Sequence, residues 1–366
     1  MTATPPTPTA SPAPAPGPAL TDLMRGPPRQ VPVTVALIMA NTAVFVVMLA
    51  FGAGLWHSAN GVQLAWGANF GPATQDGQWW RLLTALFIHF GLVHLALNMF
   101  ALWDIGRLVE RLFGRTRFAL LYLGSGVIGN LLSLVVQGNQ AVSGGASGAI
   151  FSLYGALLVF LWRERRQVHA SEFRWLFGGS LFFTVLMLGM GFVVPGIDNA
   201  AHGGGLVAGV LLGHVLLRPW TQDSTTFALS RALSGLLTLL AVAALVLHIP
   251  QPAYRFGDEL RARAAIERFV NTDRAIRQRY EALLGSGMQA GASFDEVAGS
   301  IDSSVAAAYE RSFEQLMAAN TAANLPSAAT LQQMQTYATE QARAARDVAQ
   351  RLRSKDPVQI KKALDN

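Results

Sequence analysis

Residues 144–163 read GGASGAIFSLYGALLVFLWR. Small residues and Ser147 open the stretch, a continuous apolar run follows, and Arg163 closes it. The run does not stand alone. Apolar spans recur at about 33–54, 81–104, 117–137, 147–162, 177–194, 201–217 and 229–248. Several approach the ~20 residues that a membrane helix needs, while the fourth and sixth are short. The expected fold is therefore an all-α polytopic membrane protein.

Composition supports this reading. Of the 366 residues, 51% are hydrophobic and 14% are charged, whereas soluble domains carry about 25% charge. The deficit lies between residues 33 and 248. The net charge of +6 does not indicate a nucleic-acid partner, because the basic residues sit at the ends of apolar spans. Arg25 and Arg29 precede the first span. Arg107, Arg111, Arg115 and Arg117 follow the second, Arg163, Arg165, Arg166 and Arg174 follow the fourth, and Arg218 and Arg231 follow the sixth. The other connections, 55–80, 138–146 and 195–200, hold no Lys or Arg. The excess of Lys and Arg in cytoplasmic loops then places the N-terminus in the cytoplasm and, after seven spans, the C-terminus outside. A bacterial inner membrane fits this arrangement. With no cysteine, disulfides, thiolate nucleophiles and Cys-based zinc sites are excluded. No metal and no cofactor is expected.

The chain divides into four expected regions. Residues 1–30 form a Pro/Ala-rich tail without the apolar segment of a signal peptide, expected to be disordered. Residues 31–220 hold six spans and 221–249 the seventh. Residues 250–366 are more charged. Stretches 257–284, 293–319 and 328–353 there have helical periodicity, with breaks expected at Gly285 to Gly291 and at Pro326. This region reads as a soluble helical tail with an unknown partner.

Polar groups within membrane spans are costly, and each needs a reason. Ser147 lies sixteen residues before Arg163 and His202 sixteen before Arg218. At ~1.5 Å per residue both stand about 24 Å above the inner boundary, and His94, thirteen residues before Arg107, stands about 20 Å up. In a core ~30 Å thick, Ser147 and His202 would be recessed roughly 6 Å from the outer side, open to water. Asn98 shares a face with His94 four residues away, where both could donate to one acceptor or simply hold helices together. Ser147 opens a helix, a position suited either to an N-cap or to a nucleophile beside free backbone N–H groups. After His202, Gly205 and Gly209 form a small-xxx-small pair that brings helices close. If span four is the partner, His202 comes within reach of Ser147 and can act as its base.

These residues resemble the rhomboid intramembrane serine proteases. The family has a Trp-Arg pair in its first loop, matched here by Trp80-Arg81, and a His followed four residues later by Asn in its second helix, matched by His94 and Asn98. Its fourth helix opens on Gly-x-Ser-Gly, matched by Gly145-Ala146-Ser147-Gly148, and its sixth carries His with a Gly face, matched by His202, Gly205 and Gly209. The match covers roughly residues 33–217, and the seventh span resembles the six-plus-one arrangement of part of the family.

The resemblance implies a serine endopeptidase with a Ser–His dyad, Ser147 as nucleophile and His202 as base, that cuts transmembrane segments of other membrane proteins within the lipid bilayer. It implies oxyanion or substrate stabilisation at His94, Asn98 and Gly145. It also implies supporting places for Phe151, Gly148, Gly205, Gly209 and Arg81. Phe151 falls where the family has an aromatic residue against the base, and ordinary helix packing would explain it equally. Some members carry a further His nine residues before the oxyanion His; here that position is Ala85. His89 reads as structural.

Two other classes fit mid-membrane polar groups. A non-catalytic rhomboid-like client-binding protein typically lacks the Ser or the His, and this chain keeps both; binding without proteolysis would mark it. A transporter would want an internal repeat or an acidic span centre, and neither is evident; vesicle flux without proteolysis would mark that.

Overall fold

The structure, a computed structural model, describes Leu20 and residues 31–218, 225–289, 291–319 and 324–364. The expected tail over 1–30 lies outside the described residues apart from Leu20, which is buried and donates its N–H to Glu172 at 3.1 Å. The chain divides into two compact units, Met1–Pro252 and Ala253–Asn366.

The first unit is all helical, and among the described residues it contains no strand. It runs α1 (Pro32–Ala50), the short α2 (Asn60–Trp66), α3 (Gly71–Gln75) and α4 (Arg81–Thr84), a 3-10 turn Ala85–Phe87, then α5 (Leu92–Phe113) and α6 (Arg115–Gln137). There follow α7 (Ser147–Arg163), α8 (Ala170–Val193), α9 (Asn199–Leu216) and α10 (Thr225–Leu247). Five of these, α1, α5, α6, α8 and α10, are long and apolar enough to cross a membrane. Helix α7 has 17 residues and α9 has 18.

The second expected span, 81–104, is corrected by the structure. Its helix starts at Leu92 and runs to Phe113. Backbone groups at its start bond elsewhere: the Phe90 carbonyl accepts from Ser58 N–H at 2.9 Å and the N–H of Leu92 donates to the Leu55 carbonyl at 2.8 Å. Backbone groups paired with the first loop cannot also close helical turns. At the other end, Glu110 is buried and its carboxylate accepts from the N–H groups of Val33 (3.0 Å) and Thr34 (2.7 Å) and from the Thr34 hydroxyl (2.7 Å). It therefore satisfies donors at the start of α1 that no helix can satisfy for itself. Glu110→Ala is expected to lower stability by about 1–3 kcal/mol, because those donors stay buried without an acceptor. Thermal unfolding in detergent would read this, and an unchanged midpoint would refute it.

Three central helices set the site. Helices α7 and α9 run parallel, and a Cβ added at Gly205 would meet the Gly148 backbone, at Gly209 the Ser152 backbone, and at Gly213 the Ala156 backbone. The steps of four on both helices keep one seam in register. Gly204 packs on Gly129 of α6. Gly209→Ala is expected to cost about 1–3 kcal/mol through overpacking against immobile backbone. Gly203→Ala, with nothing within 4 Å, should instead be neutral or slightly stabilising. Equal melting shifts in the two variants would contradict this packing account. The outer helices differ from the central three: α10 buries only Phe227 and Thr238. It is held where His214 Nε2 lies 3.0 Å from the Ser230 hydroxyl and Arg231 Nε donates to the Val215 carbonyl at 3.1 Å.

The second unit contains α11 (Phe256–Gln289), α12 (Phe294–Ile301), a π turn Asp302–Ala306, α13 (Ala307–Ala318), α14 (Ala328–Arg353) and α15 (Pro357–Leu364). Helix α11 continues through Gly285, because one glycine within a long helix costs only ~1 kcal/mol, and ends at Gln289, within the expected break of Gly285 to Gly291. Helix α14 buries Leu331, Ala338, Ala342, Ala345, Ala349 and Leu352, a spacing of threes, fours and sevens that makes one apolar stripe. Ser293 and Glu296 form a capping box at α12. The Tyr309 hydroxyl donates to Asp273 at 2.9 Å, and burial with that bond holds its phenol well above the usual range.

Candidate active site

The loop before α7 is pinned on both sides. Asn69 and Ser143 exchange backbone hydrogen bonds of 2.8 Å in each direction, and Gly145 N–H donates to the Ala85 carbonyl at 2.8 Å. Gly145 has φ +138°, a conformation that L side chains rarely adopt. The chain then enters α7 with Ser147 in its first turn, where backbone N–H groups lack intrahelical acceptors.

His202 lies in the first turn of α9, and its Nε2 is 2.7 Å from Ser147 Oγ. The Phe151 ring stacks on the imidazole at 4.4 Å with planes 15° apart. The other ring nitrogen, Nδ1, is buried and has no hydrogen-bond partner among the described residues. The acidic residue that caps this helix, Asp198, is occupied elsewhere. Its carboxylate accepts from the Ala201 N–H at 2.9 Å and from the hydroxyls of Ser133 and Ser143 at 2.5 Å each.

His94, in the first turn of α5, lies on the other side of the serine. Phe90 N–H approaches its Nδ1 at 3.4 Å, which assigns the proton of the neutral ring to Nε2. A Cβ built on Gly145 would sit 3.0 Å from His94 Nε2, 2.9 Å from Cε1 and 3.7 Å from Ser147 Oγ. The imidazole edge and the hydroxyl therefore border the same small space. Asn98 is buried one turn further, and its amide donates to the His94 carbonyl at 2.8 Å. Its NH2 group retains a second proton.

Gly145 is grouped in the sequence reading with the oxyanion residues. Its N–H is taken by the Ala85 carbonyl, so its contribution is the missing side chain that lets His94 approach. Gly148, Gly205 and Gly209 form the α7–α9 seam. Arg81 is buried away from the serine, with Nη1 donating to the carbonyls of Leu64 (2.7 Å) and Ala68 (2.9 Å) and Nε to Gln78 (2.7 Å). His89 is buried with its ring 5.0 Å from that of His94. Among the described residues no group of three His, Asp or Glu side chains is placed to hold a metal ion.

The sequence reading missed the Asp198, Ser133 and Ser143 cluster. A signal was present: Asp198 occupies an N-cap position four residues before His202.

Comparison with known proteins gives a consistent family. The model of the Rhomboid domain matches residues 76–219. The chain is similar to rhomboid protease GluP of Bacillus subtilis (strain 168), 36% identical over 192 residues, which are 52% of this chain and 36% of that protein. It is also similar to the putative rhomboid protease YdcA of the same organism, 36% identical over 187 residues, 50% of this chain and 88% of the relative. RHOMBOID-like protein 5 of Arabidopsis thaliana is 40% identical over 144 residues, 39% of this chain and 46% of that protein. The chain thus spans less than half the length of two of these three relatives.

Proposed function

We propose, since the chain belongs to the rhomboid family, that it is an intramembrane serine endopeptidase working through a Ser147–His202 dyad. Family membership and the apolar helices make it a multi-pass membrane protein, and the family supports intramembrane protease activity. The observation that carries the finer reading is the 2.7 Å contact between Ser147 Oγ and His202 Nε2.

In this mechanism His202 Nε2 accepts the proton as Ser147 Oγ attacks the scissile carbonyl, then returns it to the leaving amine. Water hydrolyses the acyl-enzyme with the same imidazole as base. The free Nδ1 of His202 favours a dyad over a triad, and the Phe151 stack holds the ring plane. The Ser147 backbone N–H, His94 Nε2–H and the second amide proton of Asn98 serve the developing oxyanion. Hydrolysis in a membrane requires access to water, which recessed helix starts supply. The substrates are transmembrane helices of other proteins, weakened locally by small residues so that a carbonyl is released from its internal hydrogen bond. The N-terminus is cytoplasmic, in a bacterial plasma membrane.

The test is incubation of the purified full chain in detergent micelles with a single-span substrate, wild type beside Ser147→Ala. Cleavage by wild type alone supports the reading. Equal cleavage by both ends it.

A further inference from the structure

We propose that Asp198 is a positioning residue that fixes the separation of Ser147 and His202 by bridging the two chain segments that carry them. The proposal rests on the protease reading above. Asp198 stands four residues before His202, and Ser143 four residues before Ser147. A single carboxylate joins these two points: one oxygen accepts from the Ala201 N–H and so caps α9, while the other accepts from the Ser143 hydroxyl. The Ser133 hydroxyl of α6 reaches that same second oxygen. The hydroxyls of Ser133 and Ser143 are withdrawn from solvent, at 1% and 7% exposure, so the bonds cannot be exchanged freely for water.

The anchoring continues beyond the carboxylate. Ser143 is bridged to Asn69, the Asn69 amide donates to the Asn130 carbonyl at 3.0 Å, and the Asn130 amide to the Leu82 carbonyl at 2.8 Å. Asp198 is thus the point where the α9 start is tied to a framework that already holds the nucleophile loop. A residue that merely capped α9 would need only the Ala201 bond. The bond to Ser143 has a different consequence: it sets the register of the loop ending in Ser147 against the helix starting before His202. An error of ~1 Å between reacting groups costs about 10²-fold in rate, so one hydrogen bond at this point acts on kcat.

The experiment uses the full chain in detergent, with kcat, KM and thermal unfolding measured on a single-span substrate, and with the rate at which a fluorophosphonate labels Ser147. Asp198→Ala and Ser143→Ala are each expected to lower kcat about 10–10²-fold with little change in KM, and to slow labelling in parallel. Asp198→Asn, which keeps an acceptor for Ala201 and a polar partner for Ser143, should recover most of the rate. The Ser143→Ala/Asp198→Ala double variant should lose no more than Asp198→Ala alone, because Asp198→Ala has already removed the Ser143 bond. Ser143→Ala leaves the α9 cap intact, so it stays informative if Asp198→Ala fails to fold. Wild-type kcat and labelling in Ser143→Ala, or additive losses in the double variant, would overturn the proposal. If wild type cleaves nothing, the protease reading fails separately, and the labelling rates still report whether Asp198 and Ser143 hold the serine against its base.

Discussion

His202→Ala is expected to remove cleavage of a single-span substrate almost completely, by at least about 10⁴-fold in kcat and up to about 10⁶-fold, as when one member of a nucleophile–base pair is lost. A serine hydroxyl is a poor nucleophile without a base, and among the described residues the imidazole bonded to Ser147 is that of His202, at 2.7 Å. In the proposed dyad Ser147 and His202 act as one unit, so the Ser147→Ala/His202→Ala double variant should be no slower than either single variant. The measurement is cleavage rate against folded protein, with melting as control. Residual activity within about tenfold of wild type in His202→Ala would remove the dyad from the mechanism.

His94→Ala is expected to lower kcat by about 10²–10³-fold with KM little changed, the usual loss for one oxyanion donor. The Phe90 N–H at Nδ1 leaves the ring proton on Nε2, which faces the space shared with Ser147 Oγ. Asn98→Ala should lose less than His94→Ala, since one of its two amide protons is taken by the His94 carbonyl. It should also disturb His94, so the paired substitution should cost less than the sum of the single ones. A fall in affinity with unchanged kcat would mean instead that His94 binds substrate in its ground state.

What the sequence made readable follows from local rules. Ser147 and His202 could be set at one height because each stands near the start of a helix of known rise and sixteen residues before an arginine. The small-residue steps at Gly205 and Gly209 are likewise visible as a pattern, because close helix packing demands them. The start of α5 was misread because hydropathy does not distinguish a helix from an apolar loop. Residues 81–91 are mostly apolar, yet they form the short α4, a 3-10 turn and a loop in which the Phe90 carbonyl accepts from Ser58, before α5 begins at Leu92. The role of Gly145 was hidden because it depends on His94, distant in sequence, reaching into the volume a side chain would fill. The Asp198 cluster joins residues up to 65 positions apart, and nothing periodic marks such a meeting.

At Gly205 and Gly209 the seam between α7 and α9 is backbone resting on backbone. It behaves as a hard joint, closed or broken, with no intermediate setting. Ser147 and His202 ride on its opposite halves, so a bilayer that is thicker, thinner or laterally compressed should bend the loosely held outer helices first and leave their separation untouched.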